Sequence, residues 1–432
     1  MDFKTYRFND ILLNYDKLRK PLSSLERENF QGEYPYYGAQ GIIDYVADYR
    51  CDGEYLLIAE DGENLNTRNQ PIATIAKGKF WVNNHAHVVK TNELADMRYT
   101  CYALNYMDIG GYVTGTAQPK LSQKNLNRIK VRFPSLEKQK NIADVLSVYD
   151  NLIENNNKRI KILEQMAENL YKEWFVRFRF PGHEIAEFEK QVPSGWVISS
   201  KETDMVCPIG WQYGKFSNLG RFIRGKNITA SEMVDGDIPV ISAGLEPSGY
   251  HNTNNVIGKS LTISASGANA GYLKYHLSNI WAADCSYYQD DKKLWFVYNA
   301  LKFLQPVISN LQVGAAQPHV YPKNINKLCT IIPDDDIIQK YCDKVEPIYE
   351  QIGILNKKNE NLIKQRDMLL PRLMSGKLEV KESQKKVVKF KTKKTFIEFK
   401  NSFAAAARKD SGLTEQDMEE LYKAYCDDSR DE

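Results

Sequence analysis

The sequence predicts an α+β protein in which two β-rich domains, related by an approximate two-fold, are separated by a pair of long helices packed on each other as a coiled coil. Three observations carry this. The block Gly115-Thr-Ala-Gln-Pro-Lys120 returns about two hundred residues later as Gly314-Ala-Ala-Gln-Pro-His319. Each copy runs on through the same spaced residues, Lys124, Asn125, Asn127 and Pro134 in one and Lys323, Asn324, Asn326 and Pro333 in the other. Each then enters a long helical pattern with apolar residues seven apart. A register kept this long reads as tandem duplication: globular part, helix, globular part, helix.

At 432 residues the chain is long enough for two or three domains, each with its own core. The expected order is a first globular domain at 1–136 and a central helix at 137–180. A linker at 181–207 and a second globular domain at 208–333 follow, then a second helix at 334–376 and a tail at 377–432. Charged residues at 26% and hydrophobic ones at 42% are ordinary for a soluble protein. A net charge of +3 makes no bulk case for nucleic acid, so any basic surface must be local. The seven cysteines are scattered without a Cys-x-x-Cys pair, which predicts free thiols in a reducing, cytoplasmic setting. No apolar run is long enough for a membrane span and the N-terminus has no signal-like core, so no membrane association is expected.

Residues 1–136 show short alternating apolar runs at Tyr55-Leu-Leu-Ile-Ala, Ile72-Ala-Thr-Ile-Ala, Phe80-Trp-Val and His87-Val-Val. Asp52-Gly53, Asp61-Gly62 and Gly110-Gly111 punctuate them, predicting strands with tight loops and one helix near 93–108. In the first helix Leu146, Ile153, Ile160, Ala167 and Trp174 form one row, and Tyr149, Asn156, Leu163 and Leu170 another. In the second the rows are Val345, Ile352, Asn359 and Arg366, with Ile348, Leu355, Leu362 and Leu369. Such rows are a seam for another long helix, and forty residues span roughly 60 Å. Asn156 and Asn359 are the seam positions expected to fix register. Pro347 is expected to kink or delay the second helix.

The linker carries Pro193-Ser-Gly-Trp196, echoed by Pro208-Ile-Gly-Trp211. Beyond it the second domain matches the first in plan: Pro239-Val-Ile-Ser-Ala parallels Pro35-Tyr-Tyr-Gly-Ala, and Ile280-Trp281 parallels Phe80-Trp81. The tail has eight Lys against two Glu over 381–400, read as a solvated tether or an added phosphate-contacting arm. Thr414-Glu-Gln-Asp417 opens a short acidic helix by capping-box logic.

Catalytic signatures are missing. There is no Asn/Asp-Pro-Pro-Tyr motif for holding a base amine and no glycine-rich loop for S-adenosylmethionine. Gly258-Lys-Ser lacks the earlier glycine of a phosphate loop. His85 and His87 would share a strand face, but without a third ligand nearby they read as ordinary strand residues. Asp334-Asp-Asp336 reads as a helix N-terminus. Reading base edges needs Arg, Lys, Asn, Gln, Ser and Thr on rigid loops. In the first domain the DNA-contact candidates are Tyr36, Tyr37, Gln40, Arg68, Asn69, Asn83, Asn84, Gln118 and Lys120. In the second they are Arg221, Arg224, Lys226, Asn227, Ser266, Asn269, Lys274, Gln317 and His319.

These residues together resemble the specificity subunit of type I restriction-modification enzymes over residues 1–380. The carriers are the twice-occurring Gly-x-Ala-Gln-Pro block, Leu170-Tyr-Lys-Glu-Trp-Phe-Val-Arg-Phe178, the Pro-x-Gly-Trp entry to the second half, and Arg366-Asp-Met-Leu-Leu-Pro-Arg-Leu-Met-Ser-Gly-Lys-Leu378. The first half begins without that entry, and the tail lies beyond the family pattern. The resemblance implies two target-recognition domains, each reading half of a split, asymmetric DNA site, a central pair of long antiparallel helices forming a coiled coil, and a non-catalytic chain that binds no cofactor itself. It implies two modification (methyltransferase) subunits and up to two restriction-translocation subunits as partners. S-adenosylmethionine, ATP and Mg2+, with adenine methylation and ATP-dependent cleavage, would belong to those partners. Two other readings remain: part of a split or fused single-chain restriction enzyme, or an assembly scaffold that does not bind DNA.

Overall fold

The computed structural model describes residues 2–115, 118–191, 205–312 and 318–380. The Lys-rich run, the helix expected after Thr414, Pro193-Ser-Gly-Trp196 and Gln317 lie outside these. Among the described residues the chain forms two compact units, one within 2–158 together with 356–380 and the other within 159–355. Each unit thus combines one globular part with a portion of both long helices.

In the first unit the strands are β1 Lys4–Arg7, β2 Leu12–Asn14, β3 Gln31–Gly38, β4 Gly41–Val46, β5 Cys51–Asp52, β6 Tyr55–Ala59, β7 Ala73–Ala76, β8 Lys79–Val82, β9 Ala86–Thr91 and β10 Lys130–Phe133. They form sheets ordered β4-β3-β8-β5 and β2-β9-β6-β7, with β1 paired to β10. The expected strand runs are all present, and the helix expected near 93–108 is Met97–Tyr106, capped by the Asp96 carboxylate on the Tyr99 amide. Leu56, Ile58, Val89, Tyr99, Leu104 and Phe133 build the core, which Leu146 and Leu373 of the long helices enter.

The second unit contains β11 Phe188–Gln191, β12 Met205–Pro208, β13 Gln212–Lys215, β14 Ile223–Arg224, β15 Ile238–Ile241, β16 Gly249–His251, β17 Ser260–Ser264, β18 Leu273–His276, β19 Trp281–Ala282, β20 Cys285–Tyr288 and β21 Cys329–Ile332. Its sheets run β14-β20-β17-β18 and β16-β15-β19, with β13 paired to β21 and β11 to β12. Within the stretch expected as a linker, 181–207, β11 and β12 satisfy their backbone groups in an antiparallel ladder. Trp211 of the Pro-x-Gly-Trp motif is buried against Phe175, Phe178 and Phe180. Gly258-Lys-Ser leads into β17, and Lys259 pairs with Glu346, so no phosphate cradle forms.

The plan is the same in both units. β3 and β8 pair in parallel with Tyr36 opposite Trp81, and β15 and β19 pair in parallel with Val240 opposite Trp281. Each tryptophan donates its indole N–H to a lysine carbonyl, of Lys20 at 2.7 Å and of Lys226 at 2.8 Å.

The first long helix is Leu136–Tyr171, continued by one π-helical stretch, Lys172–Val176; the second is Asp335–Met374. They run antiparallel within each unit. In the first, Asn156 donates to Asn359 at 2.8 Å and Arg366 to Asp150 at 2.7 Å. In the second, the Tyr341 hydroxyl donates to the Ala167 carbonyl at 3.1 Å, beside Ile160, Leu163, Leu170, Val345, Ile348 and Ile352 in one core. Every predicted seam position is buried or half-buried, including Tyr149, Ile153, Leu355, Leu362 and Leu369. The second helix begins at Asp335 and runs unbroken through Pro347, so the delayed start expected from that proline does not occur. Pro347 sits on the exposed side, where water can take the carbonyl that its missing N–H leaves free. No helix of the described residues is long and apolar enough to cross a membrane.

Candidate nucleic-acid interface

The repeated block anchors the same loop junction in both units. The Gly62 amide donates to the Pro119 carbonyl at 3.2 Å, and the Gly267 amide to the Pro318 carbonyl at 3.1 Å. Both glycines have positive φ, +122° and +75°, a region side chains disfavour. One step along, the Leu121 amide donates to Glu60 at 2.7 Å and the Val320 amide to Ala265 at 2.9 Å. The loop before β9 or β20 closes onto the same place, through Glu60 N–H to the His85 carbonyl at 2.9 Å and Ala265 N–H to the Asp284 carbonyl at 3.2 Å. Position by position, Asp61 corresponds to Ser266, His85 to Asp284 and Lys120 to His319. Backbone bridges join Asp61 to Lys120 and Ser266 to His319.

This shared backbone carries different side chains. In the first unit the His85 ring meets the Asp61 carboxylate at 2.8 Å, and the Lys120 ammonium lies 3.2 Å from Glu60. A side chain at Gly62 would come within 3.9 Å of Gln40 at the exposed β3–β4 tip, so that tip belongs to the same patch. Asn84 and Gln118 are exposed beside it. Beneath lies a polar network of half-buried Asp16, Arg19 and Glu60 around the buried His87. Arg19 donates to Glu60 at 2.5 Å, and His87 bridges Asp16 at 2.8 Å and the Leu121 carbonyl at 2.9 Å. Burial alone would raise the Asp16 carboxyl, but hydrogen bonds from His87 and the Val88 amide outweigh it and hold it below the ordinary range. His87 is thus a core histidine, and no cluster of three metal-ligating side chains occurs among the described residues.

In the second unit Asp284 takes the hydroxyl of Ser266 on one oxygen and the guanidinium of Arg224 on the other. Lys226, Asn227 and Arg221 are exposed on the same edge, and His319 stacks on Tyr321 with ring centres 5.9 Å apart. Lys274 reaches the Leu245 carbonyl at 2.8 Å, holding the β15–β16 loop. Asn269 is half-buried in the turn that its carbonyl closes with the Tyr272 amide at 2.9 Å.

Three first-domain candidates are placed away from solvent or in structural contacts. Tyr36 is 1% exposed, and its hydroxyl accepts from the Leu22 amide at 2.8 Å. Asn83 is buried and its side chain accepts from the His85 amide at 2.8 Å, shaping the turn that presents Asn84 and His85. Arg68 donates to the carbonyls of Leu104 and Met107, which makes it a cap on the Met97–Tyr106 helix. Asn69 is exposed beside it, and Tyr37 is half-buried against Phe80. Sequence reasoning reads Asp61 only as a turn residue and does not single out Glu60 or Asp284, because it looks for Arg, Lys, Asn, Gln, Ser and Thr at base edges. Laying the two copies of the loop junction over each other would have found them.

A family described as type I restriction modification DNA specificity domain matches residues 1–165 and 208–365. The chain belongs to this family. It is therefore a DNA-specifying subunit, the non-catalytic component of a type I system. It is similar to the type I restriction enzyme MjaIX specificity subunit of Methanocaldococcus jannaschii, 26% identical over 389 residues that cover 82% of this chain and 89% of that one. A putative type I specificity subunit of Haemophilus influenzae is 40% identical over 128 residues, 30% of this chain and 32% of that one. The crystal structure of a type I S subunit from M. genitalium shares the fold, with a TM-score of 0.55 at 16% identity over 86% of this chain and 96% of that one. The two family matches fall on the two repeats, each entering a long helix.

Burial pushes Cys51 and Cys342 up to about 11 and Cys101 and Cys285 up to about 12, so these are not nucleophiles at neutral pH.

Proposed function

We propose that this specificity subunit reads a bipartite, asymmetric DNA site, one half through each unit, and recruits two modification subunits and up to two restriction-translocation subunits. S-adenosylmethionine, ATP and Mg2+ act in those partners, which carry out adenine methylation and ATP-dependent cleavage. The observation that carries this reading is the loop junction built twice on one hydrogen-bond pattern but furnished differently, Asp61, His85 and Lys120 against Ser266, Asp284 and His319. A shared framework with unlike side chains suits two readers of unlike sequences. Phosphate contacts from exposed Lys and Arg place each unit, and loop side chains select bases. A duplicated framework also offers two similar docking faces, hence two copies of a partner.

Mapping methylated adenines in the host genome, with and without this chain, tests the reading. We expect paired adenines in a split motif with a fixed unread gap, lost when the chain is removed. Exchanging the loops within 208–333 should change one half-site and leave the other. A simultaneous change in both halves would overturn the assignment of one half to each unit.

A further inference from the structure

We propose that Arg224 reads a guanine in the half-site of the second unit and that Asp284 is the positioning residue that aims it. This rests on the half-site reading above and adds to it the base and the side chain. Arg224 ends β14 at the edge of its sheet, with its side chain 41% exposed. One terminal nitrogen donates to Asp284, and no hydrogen bond from its other nitrogens reaches a described residue. Asp284 is fixed from the far side by the Ser266 hydroxyl, in the loop that Gly267 ties to the repeated Gln-Pro block. The guanidinium is therefore held by a carboxylate that is itself held, with its remaining donors toward solvent. An exposed ion pair adds little to stability, but a side chain locked by a second layer of hydrogen bonds is what base reading needs. A planar fork of N–H donors matches the O6 and N7 acceptors of guanine in the major groove and no other base so well. At the corresponding place in the first unit the pair is Asp61 with His85, and Arg19 is turned inward to Glu60. The two halves should therefore differ at this position.

The test uses the full-length chain in complex with its modification subunit, and a duplex library randomised across the footprint. We expect one invariant guanine in the half-site changed by loop exchange within 208–333. Replacing that guanine by 7-deazaguanine, which lacks the N7 acceptor, should weaken the wild-type complex roughly 5- to 150-fold. The same replacement should cost Arg224→Ala nothing further. Asp284→Asn, which keeps size and removes charge, should relax preference at that one position. Arg224→Met keeps the aliphatic stem if the alanine variant does not fold, and the 7-deazaguanine assay on the unaltered protein needs no variant at all. A half-site without a 7-deazaguanine-sensitive guanine would overturn the proposal. So would an Arg224→Ala complex weakened equally on all sequences, the mark of a phosphate contact. Split-site selection untouched by Arg224 would sink only the arginine assignment; absence of any sequence preference would sink the half-site reading with it.

Discussion

Asp16 is the residue on which the first unit's polar interior turns. Its carboxylate accepts from the Val88 amide at 2.7 Å and from His87 at 2.8 Å, with Arg19 at 3.2 Å. Because these bonds lower its folded pKa, the stability it contributes is present above the unfolded value of about 3.9 and is lost as pH falls through the folded value. The wild-type melting temperature should therefore drop on acidification below about pH 4. Asp16→Asn should cost about 1.5–3 kcal/mol at neutral pH and show a shallower acid limb. Equal acid limbs in melting curves of the two proteins would show that other carboxylates set it. Arg68 offers the contrasting case, a basic loop residue whose guanidinium is spent on the Leu104 and Met107 carbonyls. Arg68→Ala should destabilise the protein by about 1–3 kcal/mol in chemical unfolding while leaving the selected DNA sequence unchanged. A changed half-site would return Arg68 to the reading surface.

At the scale of elements, the two long helices were legible because a seam of period 3.5 fixes which face is buried whatever the neighbours do. The strands were legible from alternation and glycine punctuation. Hidden from sequence was the fate of individual loop polars: Tyr36 and Arg68 look like contact residues until the fold shows what lies beside them. Pro347 is likewise carried on the exposed face of an unbroken helix, where water can meet the carbonyl that its ring leaves free. Where the seam is polar, Asn156 donates to Asn359, which donates in turn to Asn157 at 2.8 Å. Asn359→Leu leaves a buried amide unpaired and should cost about 1–3 kcal/mol. Replacing Asn156 and Asn359 together by Leu should recover most of this, because a half-satisfied polar pair is worse than an apolar one. A double-mutant cycle by denaturant unfolding reads the coupling; additive losses would mean that the two amides do not depend on each other.

For the whole molecule, the proposed bipartite reading makes the helix pair a ruler, and a ruler can be lengthened. Inserting one heptad into each helix, at matched places such as after Lys158 and before Asn356, keeps both seams in phase because seven residues is one repeat. It adds about 10 Å of rise, the length of about three base pairs at 3.4 Å each. Three base pairs also rotate the far half-site by about 100°, given 10–10.5 base pairs per turn. The coiled coil itself turns by only about 25° over that rise, at a pitch near 150 Å. The preferred gap should therefore grow by two to four base pairs, roughly the added length. Affinity should fall as well, because DNA twist or the reading units must absorb the remaining rotation. Selection from libraries with variable gaps measures both effects at once. An unchanged gap preference, with the inserted protein folded and each half-site still chosen, would mean that something other than the helices sets the distance between the readers.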